Sequence, residues 1–164
     1  MTFDKRDQFA DAITGVACEL GVGEGGYSEL LLIRSKLERL YSIDEWASRG
    51  HNTSQYLRVL DRLSRFGERS RVVRSKFADV VDLFPNESFD CIYVDGYADR
   101  GNCGGETFSQ WWPKVKIGGL LAGHDYHSKW SRNKRAVDRF AGERGLELGV
   151  TRDDRYPSWY VWKK

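Results

Sequence analysis

Short apolar runs and amphipathic stretches alternate along almost the whole chain, the pattern of βαβ units that fold into a mostly parallel sheet. Residues 3–13 predict a short helix with Phe3, Phe9, Ala10 and Ile13 on one side. Residues 15–20, "GVACEL", form an unbroken apolar run suited to a strand buried on both faces. A helix over 27–37 and a strand over 39–44 follow. The clearest helix spans 52–67: Asn52 or Thr53 can cap it, Tyr56, Leu57, Leu60, Leu63 and Phe66 recur at helical spacing, and Gly67 ends it. Beyond it lie a strand over 71–73, a helix over 77–84 stopped by Pro85, and a strand over 89–95. A helix over 105–115, a strand over 118–126 entered through Gly118 and Gly119, and a helix over 133–145 complete the alternation.

The tail departs from this rhythm. Residues 146–151 and 158–164 are strand-like runs joined only by "RDDRYP", too short for a crossover helix, so they should pair antiparallel. The expected fold is α/β: a doubly wound, mostly parallel seven-stranded sheet with helices on both faces and a C-terminal antiparallel hairpin. A length of 164 residues suits a single domain, 1–164.

Composition narrows the class. The chain is 40% apolar and 30% charged with three prolines, has no run approaching the ~20 apolar residues of a membrane span, and starts with a segment too charged for a signal peptide. A cytoplasmic protein with no membrane partner is expected. Cys18, Cys91 and Cys103 form no CxxC pair, so buried reduced thiols are the simplest reading. The net charge is only +2, but residues 34–76 hold eleven basic and five acidic side chains, either a solvated helix surface or a face for an anionic substrate.

The stretch "CELGVGEGGYS", residues 18–28, carries two overlapping patterns. Gly21, Gly23 and Gly26 match the GxGxxG dinucleotide fingerprint; Glu19, Gly21, Gly23 and Gly25 match ExGxGxG, the strand end beneath a bound adenosyl cofactor. Both let backbone N–H groups approach a ligand with no Cβ in the way. Asp44, at the end of the second strand, suits a pair of ribose hydroxyls in either case. The short chain and the terminal hairpin disfavour a dehydrogenase with its second half and substrate domain.

Taken in order, "ELGVGEGGYS", "YSIDEW", "FDCIYVDG", "GGLLAGHDY" and "PSWYVWKK" resemble the class I S-adenosylmethionine-dependent methyltransferases, nearest to the macrocin O-methyltransferase-like branch. The resemblance implies a Rossmann-like fold and transfer of a methyl group to an oxygen, less readily a nitrogen, of a small molecule or sugar. It implies that Glu19, Gly21, Val22, Gly23 and Gly25 line the methionine and ribose part of the cofactor with Tyr27 and Ser28 beside them. Asp44 takes the ribose hydroxyls, Glu45 and Trp46 border the adenine, and Ser75, Lys76 and Phe77 meet the adenine edge.

Asp95 is implied to face the transferred methyl group, with Asp125 across the same pocket. Two carboxylates there suit a shared Mg²⁺. The run His124, Asp125, Tyr126 departs from the acids or amides of metal-dependent relatives, so the metal stays an open alternative. His124 and His127 are the candidates for a general base. In the loop after Asp95, Tyr97, Asp99 and Arg100 stand where the branch commonly has a histidine, an expected substrate loop.

Two other functions compete. An RNA or cap methyltransferase of the same fold would use the basic 34–76 region and the tryptophans Trp111, Trp112 and Trp130. An NAD-dependent oxidoreductase or nucleotide-binding module would use the GxGxxG reading. The small pocket expected from so short a chain leaves homodimerisation as an alternative way to complete it.

Overall fold

The computed structural model describes residues 2–164, with the Asp99 side chain outside the described residues. One seven-stranded sheet runs in the order β3-β2-β1-β4-β5-β7-β6. The strands are β1 Thr14–Leu20, β2 Lys36–Asp44, β3 Ser70–Arg74, β4 Phe89–Val94, β5 Val115–Gly123, β6 Gly149–Val150 and β7 Trp159–Trp162. The first five pair in parallel, and β7 runs antiparallel to both β5 and β6. Strand order reverses between β1 and β4, and in such sheets the crevice outside the carboxyl ends at that point receives ligands.

Helices cover both faces, and the alternation of side chains along the central strands divides the core in two. Ala17, Cys91, Tyr93 and Leu120 pack on one face with α1 Phe9–Ala12, α2 Gly26–Arg34 and α3 Thr53–Ser64. Cys18, Leu20, Ile92, Val94 and Leu121 point the other way. They pack with α4 Phe77–Val80, α6 Glu106–Trp111 and α7 Ser131–Glu143. Between α4 and α6, the one-turn segment α5, Gly101–Gly104, contains left-handed residues rather than regular helix. No described helix is long and apolar enough to cross a membrane.

Several boundaries differ from the sequence expectation for local reasons. The helix expected over 27–37 stops at Arg34, because Ser35 turns extended and its hydroxyl returns to the Leu31 carbonyl at 2.5 Å. Strand β2 therefore starts at Lys36. Asn52 caps α3 by accepting from the Gln55 amide at 3.2 Å, but the helix buries Gln55, Val59 and Leu63 while Leu57 and Leu60 are 57% and 37% exposed. The apolar spacing alone had put those two leucines inward. Trp111, named above for the RNA or cap methyltransferase alternative, is fully buried at 0% exposure against Phe84 and Phe89, so it is core and not a base-stacking surface.

Candidate active site

The chain passing from β1 to α2 is shaped by two close approaches. Gly21 has φ +95°, and a Cβ there would lie 2.6 Å from the Asp95–Gly96 backbone, so the glycine loop and the end of β4 touch main chain to main chain. Gly25, at φ +78°, is the N-cap of α2 and faces Val59 of α3. The Gly21 amide donates to the Ile43 carbonyl at 2.9 Å. Asp44 then closes the loop: its Oδ2 accepts from the Val22 and Gly23 amides at 2.9 and 3.0 Å. The Trp46 indole N–H donates to the Gly23 carbonyl at 3.0 Å from the other side.

A cavity of about 740 Å³ opens above these strand ends. Of the residues proposed from sequence, Gly21, Val22, Gly23, Asp44, Glu45, Trp46, Lys76, Phe77 and Asp95 line it. Trp46 has no solvent exposure and packs on Tyr56 in a tilted pair with ring centroids 5.0 Å apart, so it shapes the wall from behind. Glu19, Gly25, Tyr27, Ser28 and Ser75 are not among its lining residues. Glu19 points under α2, 1% exposed, bonded by the Ser28 hydroxyl, which also lies 2.9 Å from the Ser42 hydroxyl. Burial pushes the Glu19 carboxyl up to about 8, against the lowering effect of the Ser28 bond.

Tyr97 and Arg100, expected from the sequence in a substrate loop, also line it, as does His51, which the sequence did not mark. The Tyr97 hydroxyl donates to Glu45 at 3.1 Å and its ring packs on Phe77 at 4.9 Å, joining the ends of β2 and β4. Tyr97 has φ +53°, Trp46 φ +43° and Asp125 φ +60°. All three follow the carboxyl end of a strand, and non-glycine residues held in this region concentrate at functional sites.

Asp95 belongs both to the cavity wall and to a polar cluster. The His124 Nδ1 lies 3.4 Å from Asp95 Oδ1 and 3.3 Å from Asp125 Oδ1. Arg6, from the segment before α1, donates to Asp95 Oδ2 at 3.4 Å and stacks its guanidinium over the Tyr27 ring at 4.7 Å. Its backbone N–H donates to Asp154 at 2.9 Å, so the first residues and the tail are clamped together over the site. Arg6 carries no local signal, since its partners lie 89 and 148 positions away. Burial works against a charged His124, yet its bonds to Asp125 and Asp95 raise it to about 9. His127 stands apart: its Nδ1 accepts from the Lys129 amide at 3.1 Å and its ring meets Tyr156.

A glycine-loop cavity lies at the strand-order reversal, and a carboxylate–imidazole pair lies at the next two strand ends. A family model described as a methyltransferase domain matches residues 18–126, more than half of the chain, from the first strand through Tyr126. The chain belongs to that family. It is a class I S-adenosylmethionine-dependent methyltransferase, which sets aside the nicotinamide oxidoreductase alternative.

Solved structures agree with this methyltransferase on the fold. SMU.1697c from Streptococcus mutans, solved in complex with SAH, has a TM-score of 0.70 at 14% identity, covering 96% of this chain and 95% of that one. A candidate caffeoyl-CoA O-methyltransferase from Staphylococcus aureus gives 0.73 at 12% identity, with 94% and 78% covered. An rRNA methylase from Streptococcus thermophilus gives 0.68 at 13% identity, with 96% and 93% covered. No curated protein sequence matches the chain.

Proposed function

We propose that the methyltransferase, acting as a single catalytic domain, transfers the S-adenosylmethionine methyl group to an oxygen of a small-molecule or sugar acceptor. The observation that carries this reading is the polar cluster of Asp95, His124 and Asp125 beside a cavity cradled by Gly21 and Gly23. The cavity suits the cofactor: its volume is in the usual ligand range, its loop has no Cβ in the way, and Asp44 offers a carboxylate at the end of β2. Gly21, Val22 and Gly23 would hold the methionine and ribose part, Asp44 the ribose hydroxyls, and Glu45, Lys76, Phe77 and Tyr97 the adenine.

When bound, S-adenosylmethionine supplies an already activated methyl group, so the protein's share is alignment and proton removal. The acceptor oxygen must point at the methyl carbon in line with the breaking carbon–sulfur bond, and its proton must leave. Asp95, on the cavity wall, and Asp125 beside it would orient the hydroxyl. His124 takes the proton once its imidazole is neutral, which the two carboxylates delay until pH rises toward about 9.

The same cluster does not suit Mg²⁺. Mg²⁺ prefers oxygen ligands in an octahedron, whereas an imidazole lies between the carboxylates and a guanidinium already sits on Asp95. The reading is therefore metal-independent transfer. We keep the macrocin O-methyltransferase-like branch as the nearest relative on the ordered motifs quoted above. A cytoplasmic location fits three unpaired cysteines.

The direct experiment incubates the protein with methyl-labelled S-adenosylmethionine and a panel of hydroxyl, amine and carbon acceptors, with and without EDTA. Label in hydroxyl acceptors that is insensitive to EDTA is the expected result. Transfer only to carbon or nitrogen, or loss of activity with EDTA and recovery with a divalent ion, contradicts it.

A further inference from the structure

Beside the cofactor cavity lies a second one of about 470 Å³, and its wall is dominated by Arg100, Arg132, Arg135 and Arg139. Positions 132, 135 and 139 fall on one face of α7, opposite the stripe that buries Val137 and Ala141. Arg100 comes from the loop after β4, and α5 holds that loop against the helix. Gly101 has φ +61°, and a Cβ there would lie 2.9 Å from the Arg132 carbonyl oxygen. The Asn102 amide donates to Asn133 at 2.8 Å. Residues 101 to 105 all take positive φ, two of them, Asn102 and Cys103, without glycine's freedom. The fold thus accepts local strain to keep Arg100 beside α7.

Four arginines without a carboxylate partner among the described residues converge in this groove, whereas elsewhere several are paired and Arg69 and Arg74 bond backbone carbonyls. In the basic 34–76 region, Arg34, Arg58, Arg62, Arg65 and Arg71 each hold a carboxylate. Among the described residues, none of the four groove arginines forms such a pair; Arg139 bonds the Gly104 carbonyl instead. The one carboxylate in the wall, Asp138, is engaged by Lys134 at 2.9 Å and by the Tyr126 hydroxyl at 2.5 Å. Arg100 lines both cavities, so an anion in the groove adjoins the cofactor cavity.

We infer that the acceptor carries a phosphate or diphosphate group and that Arg100, Arg132, Arg135 and Arg139 bind it. This rests on the methyl-transfer reading above and narrows its substrate class. Guanidinium groups suit phosphate because their planar forks bond two oxygens at once. The phosphate can belong to a nucleotide-linked small molecule or to a nucleic-acid strand; the chemistry recognised is the same.

The test titrates the protein with inorganic pyrophosphate and with a short single-stranded RNA, after first measuring S-adenosylhomocysteine binding. Pyrophosphate is expected to bind, to weaken by roughly 10-fold or more in the Arg132→Ala/Arg135→Ala double variant, and to recover only in part with Lys at both positions. Arg34→Ala, a paired arginine elsewhere, should leave it unchanged. Pyrophosphate that competes away all RNA binding identifies a small phosphorylated acceptor. RNA binding that falls with salt by about 0.7 log units per contact for each tenfold rise, and that outlasts pyrophosphate, identifies a strand. If wild type binds neither probe, or the double variant binds as wild type does, the assignment is overturned. Should S-adenosylhomocysteine bind while neither pyrophosphate nor RNA does, the groove alone fails; should S-adenosylhomocysteine itself not bind, the methyl-transfer site fails first.

Discussion

Two strand ends in this fold each present a carboxylate to the same cavity, and the chain meets their charge in different ways. At the end of β2, Asp44 is fixed by backbone amides of the glycine loop at 2.9 and 3.0 Å. At the end of β4, Asp95 faces side-chain cations, Arg6 and His124, each at 3.4 Å. Backbone donors cannot titrate and hold one geometry. Side-chain donors can move and, in the case of His124, lose a proton. The first arrangement suits a permanent cofactor seat and the second suits a place where charge changes during a reaction.

That contrast predicts the largest effect at Asp44. Asp44→Ala leaves the Val22 and Gly23 amides without their acceptor, and thermal or urea unfolding should show a loss on the order of 2–4 kcal/mol, since bonds to charged groups contribute ~1.5–3 kcal/mol each. Asp44→Asn should recover part of it. A variant no less stable than wild type would mean that the loop is held by something else.

Asp95→Asn should act on turnover more than on the fold. Methyl transfer is expected to fall by about 100-fold with a melting temperature within a few degrees of wild type. An equal fall in Asp44→Asn and Asp95→Asn through the cofactor's Kd alone would erase the distinction between the two ends.

The pH dependence tests the same difference. His124 is raised from 6.5 to about 9 in the folded protein, so its stabilising contribution is complete below about pH 6.5 and disappears as pH rises toward 9. Unfolding measured across this window should show wild type losing on the order of 2 kcal/mol relative to His124→Gln. Over the same range, wild-type turnover should rise as the imidazole becomes a base. A flat profile in both would leave His124 without either role.

The smallest effect on ligand binding belongs to Glu19. Its carboxyl is raised from 4.5 to about 8 by burial, so the folded state prefers it protonated and wild-type stability falls as pH climbs through that interval. Glu19→Gln should therefore gain stability over wild type at pH 8, with the gain vanishing near pH 4.5. S-adenosylhomocysteine affinity should change by less than about 3-fold, a small cost for a residue off the cavity wall. A large loss of affinity would return Glu19 to the cofactor site.

The alternation of strand and helix made the sheet legible in sequence, and with it the strand ends where Asp44, Asp95 and Asp125 sit. Which way a residue faces was less legible. In β1 both faces are buried, so no polar alternation shows that Glu19 turns toward Ser28 rather than toward the cavity. On α3, Leu57 and Leu60 satisfy the helical period but face solvent, while Gln55 is buried through its bond to Glu24 at 3.1 Å. Arg6 and the α7 arginines became functional candidates only when tertiary contacts placed them, one on Asp95 and the others beside Arg100.

The most direct test is calorimetric titration of S-adenosylhomocysteine into wild type, Asp44→Ala and Glu19→Gln, with NADH as the competing ligand. The account predicts saturable binding to wild type and Glu19→Gln, loss of at least about 2.7 kcal/mol, or 100-fold, in Asp44→Ala, and no heat from NADH. Binding that survives intact in Asp44→Ala, or a preference for NADH, contradicts it.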